Sequence, residues 1–116
     1  MDSTKRAYNF ALNIIKFIDK LPKNTSDQII SKQLLRAATS IGANMTEAKA
    51  SPSRKDFTNF FNHSLKSANE TRYWLELLRD SSKADRVVVD SLLKEVTELS
   101  NILGASILTL RGCRKF

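Results

Sequence analysis

The chain has 116 residues, 41% hydrophobic and 27% charged, and its 19 Lys and Arg against 12 Asp and Glu give a net charge of +7 at pH 7. That length suits one domain, 1–116, with a single core. No run reaches the roughly 18 apolar residues of a membrane span, and the lone cysteine, Cys113, leaves no internal disulfide and no Cys-based metal site.

Three glycines and two prolines leave little material for turns, so few, long helices are expected. The first is predicted over 4–21, capped by Asp2 or Ser3 and stopped by Pro22. Its stripe is Ala7, Phe10 or Ala11, Ile14, Phe17 or Ile18, and Leu21, while Tyr8 and Ile15 widen it beyond what one partner helix covers. The second, over 26–50, opens on Thr25-Ser26-Asp27-Gln28, the form of a capping box, and ends at Ser51-Pro52-Ser53. Ile30, Leu34, Ala37, Ile41 and Ala48 are its apolar positions. The third, over 54–80, carries the cleanest pattern: Phe57, Phe61, Ser64, Ala68, Thr71, Leu75 and Leu78 alternate steps of four and three. The small middle of that seam suits close packing on the second helix. The fourth, over 85–111, matches it with Val89, Leu92, Val96, Leu99, Leu103, Ser106 and Leu110. Short connections force neighbours antiparallel, so the expected fold is all-α, an up-down-up-down antiparallel four-helix bundle.

Within the second helix, polar residues are threaded through the apolar ones of QLLRAATSIGANMTEA: Arg36, Ser40, Asn44 and Glu47, with Gly42 in mid-helix. One account is structural, with small residues admitting a close neighbour and a buried amide fixing register. The other is a ligand or catalytic site. The structural account is preferred, because no second cluster of reactive residues accompanies them.

The basic excess favours a polyanionic partner, nucleic acid first and an acidic membrane surface or acidic protein second, and of these a membrane is not expected. Antiparallel packing would sort the charges by height. One pole collects Lys5, Arg6, Lys49, Arg54, Lys55, Arg111, Arg114 and Lys115 against Asp2, Glu47 and Asp56, while the other holds six cations and six carboxylates. Such a pole would neutralise phosphates and bind largely without regard to sequence. No aromatic stacking platform or helix-turn-helix reader is apparent, although Phe116 beside the basic tail could stack on a base.

Catalytic chemistry is not expected. His63 is the sole histidine and lacks HxxxH or HxxE spacing, so no metal site is read from it. Cys113 has no second thiol, and Glu47 and Glu70 suit a salt-bridge network with Arg36 and Arg72 better than an acid–base pair. Neither a phosphate loop nor a nucleophile motif is present, and no cofactor is implied. The start, MDSTKRAYNF, lacks the layout of a signal peptide, so a cytoplasmic location is expected.

QLLRAATSIGANMTEA, followed by SRKDFTNFFNHSLKSANETRYWLELL, resembles the small bacterial four-helix bundle proteins also called 23S ribosomal RNA intervening-sequence proteins. The pattern QLxRAxxSIxANxxEA is met at Gln33, Leu34, Arg36, Ala37, Ser40, Ile41, Ala43, Asn44, Glu47 and Ala48, and Phe57, Phe60, Ser67 and Glu70 correspond downstream. Lys66 and Ser64 depart from common forms, where Gly and Ala are frequent. The resemblance implies a four-helix bundle and a ring-shaped homopentamer, with the extra apolar width of the first and fourth helices as subunit contact. A distant relative, the accessory variability determinant of diversity-generating retroelements, is a basic pentameric barrel that binds nucleic acid and works with a reverse transcriptase. No catalytic residues carry over, and Arg36, Ser40, Asn44, Glu47 and Glu70 are read as packing or subunit-contact determinants. The functional expectation is a non-enzymatic oligomer binding structured RNA or an RNA–DNA hybrid. The alternative is a protein adaptor, for example for a reverse transcriptase.

Overall fold

A computed structural model of the chain describes residues 2–112, of which nearly all lie in four helices: α1 (Ser3–Asp19), α2 (Thr25–Ala50), α3 (Arg54–Ser81) and α4 (Arg86–Leu110). Each helix starts where a side chain satisfies N–H groups that have no partner within the helix. Asp2 accepts from the Thr4 N–H, Asn24 from Asp27, Ser53 from Asp56, and Asp85 from Val87 and Val88. The α2 cap is therefore Asn24, one residue before the predicted capping box. It is reciprocal, because Asn24 Nδ2 also donates to Asp27 Oδ2 at 3.1 Å. At the far end of α4, Gly112 adopts φ +70° and its N–H bonds the Thr109 carbonyl, a left-handed stop that glycine takes without a Cβ penalty.

The helices pack in a closed cycle, α1 on α2, α2 on α3, α3 on α4 and α4 on α1, with α2–α3 the most extensive pair. Contacts between neighbours join early residues of one helix to late residues of the next: Asp2 with Lys49, Ile41 with Ser64, and Arg54 with Leu110. That is the sense of an up-and-down bundle.

The seam of α3 is buried as its spacing predicts, from Phe61 through Ser64, Ala68, Thr71, Leu75 and Leu78, with Phe57 half-buried at its start. The small residues do let α2 approach closely: the buried Ser64 hydroxyl donates to the Ile41 carbonyl at 2.7 Å. Gly42 serves the other flank, where an added Cβ would lie 3.4 Å from the Ala7 Cβ of α1.

In α4 the buried stripe drifts. Ile107 takes the core position that the spacing gave to Ser106 and Leu110, which are only half-buried. A helix of 3.6 residues per turn slips by about 20° per heptad against a strict seven-residue repeat. On α2, Ser31 rather than Ile30 is fully buried. Its hydroxyl, like that of Ser100, has no hydrogen-bond partner.

Candidate nucleic-acid interface

Because neighbours run in opposite senses, one pole gathers the start of α1, the end of α2, the start of α3 and the end of α4. The six described cations expected there are Lys5, Arg6, Lys49, Arg54, Lys55 and Arg111, and the structure sorts them into three kinds. Arg114, Lys115, Cys113 and Phe116 lie outside the described residues.

Arg6 leaves the group. Its Nε and Nη2 donate to Glu95 at 3.1 and 2.6 Å, and Nη2 also reaches Glu98 at 3.0 Å. These bonds, chiefly those to Glu95, hold the guanidinium more firmly protonated than usual. Sorting charges by height along the bundle placed Arg6 among phosphate contacts. Its direction around the α1 axis instead turns it to α4, where two carboxylates occupy it. That assignment is corrected: Arg6 is a tie between α1 and α4.

Lys49 is shared, with Nζ 3.7 Å from Asp2 Oδ1. The Thr4 N–H is the main reason that the Asp2 carboxyl sits below its ordinary range, and Lys49 adds to it. Lys5 lies over the Tyr8 ring at 5.0 Å, a cation–π contact that leaves its charge in place.

The third kind sits where α3 begins and α4 ends. Arg54 Nη2 donates to the Leu110 carbonyl at 2.8 Å and Arg111 Nη2 to Asn62 Oδ1 at 3.3 Å. Both acceptors are neutral, so each guanidinium is oriented without being cancelled. Lys55 is exposed beside them. No carboxylate among the described residues lies within 4.0 Å of the charged groups of Arg54, Lys55 or Arg111. Asp56, in the same turn, is half-buried.

Beside the Arg54–Leu110 contact is an open recess of about 400 Å³ between α3 and α4, lined by Phe57, Phe61, Ala105, Ser106, Thr109 and Leu110. The two phenylalanine rings stack with centroids 4.7 Å apart. Sequence reasoning counted both as core and found no aromatic platform. The available signal was a pair of Phe one helical turn apart, separated from Arg54-Lys55 only by Asp56.

The polar residues of QLLRAATSIGANMTEA lie on the outer side of α2, away from the main core. Arg36 Nη2 bonds Glu70 Oε2 at 3.1 Å and Gln33 Oε1 at 2.9 Å, and Trp74 Nε1 donates to the same Glu70 oxygen at 3.3 Å. Ser40 donates to the Arg36 carbonyl and Asn44 to the Ser40 carbonyl, both at 2.8 Å. Arg36 and Glu70 thus link α2 to α3, while Glu47 is exposed. Glu70 pairs with Arg36 and not with Arg72.

Three further surfaces complete the map. A recess of about 670 Å³ lies at the opposite pole, with Lys16, Lys20 and Lys83 around Phe17, Leu21 and Leu92. Its one carboxylate, Asp85, caps α4. A groove of about 470 Å³ between α1 and α2 is lined by Tyr8, Leu12, Ile15, Thr39, Gly42, Ala43 and their neighbours, with no charged residue among them. On α4, Val87 and Val88 near its start and Leu108 near its end are also exposed. His63 is exposed, and among the described residues no three His, Cys, Asp or Glu are grouped to hold a metal. No helix among them is long and apolar enough to cross a membrane.

Comparison with known proteins agrees with this architecture. No curated protein matches the chain. A solved structure of a protein with unknown function, from the S23 ribosomal protein family of Bacteroides thetaiotaomicron, superposes with a TM-score of 0.83. It is 39% identical, over 91% of this chain and 98% of that one. With the pattern of the 23S rRNA-intervening sequence proteins also matched over residues 1–105, the chain belongs to that family.

Proposed function

We propose that this protein is a non-enzymatic, homo-oligomeric nucleic-acid-binding protein, a pentamer as in the related barrels, with RNA as its favoured partner. The observation that carries the reading is the charge of Arg54, Lys55 and Arg111 at one pole, none of them paired with a carboxylate among the described residues, with Arg54 and Arg111 held by neutral acceptors. Phosphates supply what that pole lacks, and each contact releases counterions, so binding is salt-dependent and largely blind to sequence. The uncharged α1–α2 groove and the apolar residues of α4 serve as the two unlike faces that a ring of identical subunits requires.

Titration of labelled RNA at about 50 and 200 mM salt tests the reading, with solution mass measured by light scattering in parallel. Salt-sensitive binding by a species of several subunits is the expected result. No binding at the lower salt rejects it. The uncharged groove also suits a protein partner, and an adaptor would give a flat RNA titration and a complex with that partner that survives nuclease.

A further inference from the structure

We infer that the recess at Phe57 and Phe61 receives an unpaired nucleobase, so that the basic pole prefers single-stranded segments of a nucleic acid over duplex. The inference rests on the proposed nucleic-acid reading and says which form is bound. Three features of the recess point to it. Its wall is aromatic and apolar, Arg54 is bonded to the carbonyl of a residue in that wall, and it is small.

Stacked phenylalanine rings offer a face to any base, whatever its identity. Phe57 is the half-buried member of the pair and Phe61 lies deeper, so the outer ring is the one a base can reach. Across the recess, Thr109 Oγ1 donates to the Ala105 carbonyl at 3.1 Å and keeps its lone pairs for an amino group on a base edge. Arg54 is fixed at the Leu110 carbonyl, itself part of the lining, and Arg111 follows Leu110 in the chain. A base in the recess would therefore have its phosphate within the reach of guanidinium groups. A duplex keeps its bases stacked inside and could offer the pole only its backbone.

The test compares one RNA sequence, single-stranded and annealed to its complement, using the full chain. Three proteins are titrated: the natural sequence, Phe57→Leu, and Arg54→Gln with Lys55→Gln. The natural protein is expected to bind the single strand about ten-fold more tightly, the scale of stacking one base. Phe57→Leu should lose most of that preference with duplex binding unchanged, while the Arg54/Lys55 variant weakens both forms alike. A single strand carrying abasic linkers gives the same comparison without altering the protein, so a folding defect in Phe57→Leu cannot obscure the result. It should bind the natural protein no better than duplex does. If neither Phe57→Leu nor abasic RNA changes the ratio, while the Arg54/Lys55 variant still weakens both, the recess assignment falls and the phosphate-binding pole stands. Failure of the natural protein to bind either form overturns both.

Discussion

Arg79 at the far pole and Arg54 and Arg111 at the basic pole differ in what they touch, although each pole holds both kinds of arginine. Arg86 at the far pole reaches the neutral Arg79 carbonyl at 3.4 Å, and Arg6 at the basic pole is held by Glu95 and Glu98. At the far pole Arg79 lies against the Asp80 carboxylate at 2.9 Å, and the two hold each other charged. At the basic pole Arg54 and Arg111 each make a single bond instead, to a carbonyl and an amide oxygen. A carboxylate orients an arginine and ends its usefulness to an outside anion. A neutral oxygen orients it and leaves the charge to be used. Net charge counted along a sequence is therefore a weaker guide to a binding surface than the identity of each cation's acceptor.

The largest expected effect breaks this contrast directly. Reversing Arg54 and Lys55 to Glu should lower RNA affinity by ten-fold or more and flatten the salt dependence by about one unit of slope per lost contact. Arg79→Gln at the far pole should leave the affinity within about two-fold in the same titration. A smaller effect is expected on stability, where the poles should behave alike. Ser53→Ala at one and Asp85→Ala at the other each remove an N-cap and should cost about 1 kcal/mol in denaturant unfolding. Gly112→Ala should also cost about 1 kcal/mol, because a Cβ there meets a positive φ.

The smallest effect is with pH. Asp2 and Asp80, one at each pole, both have folded pKa values below the ordinary 3.8. A carboxyl so depressed contributes stability that is complete above its unfolded value and is lost as pH falls through the folded one. Unfolding followed from pH 7 downward should show this contribution flat until about pH 4 and declining below it. Both aspartates are exposed, so the decline should be shallow, and Asp2→Asn together with Asp80→Asn should remove it.

Much of the bundle was legible because burial follows period. The α3 seam from Phe61 to Leu78 reads correctly because small and large residues alternate on a spacing that only a packed helix requires. The α4 stripe reads correctly until Leu103 and then slips, since a fixed repeat ignores the angular drift of a straight helix. The candidate site was legible only in outline. Height along the bundle follows from connection lengths, so the clustering of Arg54, Lys55 and Arg111 could be foreseen. Direction around a helix relative to a distant partner could not, which is why Arg6 was grouped with them when Glu95 and Glu98 claim it. The aromatic recess was hidden for a related reason: Phe57 and Phe61 satisfy the core pattern, and only the folded chain shows that they also line an opening.

The meeting of Gly42 with Ala7 makes those two positions a single steric unit. Alanine at 42 would just touch the Ala7 methyl, and a larger side chain would have to turn into the uncharged groove that Gly42 lines. Bulk at position 42 therefore comes at the expense of the groove, and Ala7 and Gly42 together set how much of it stays open.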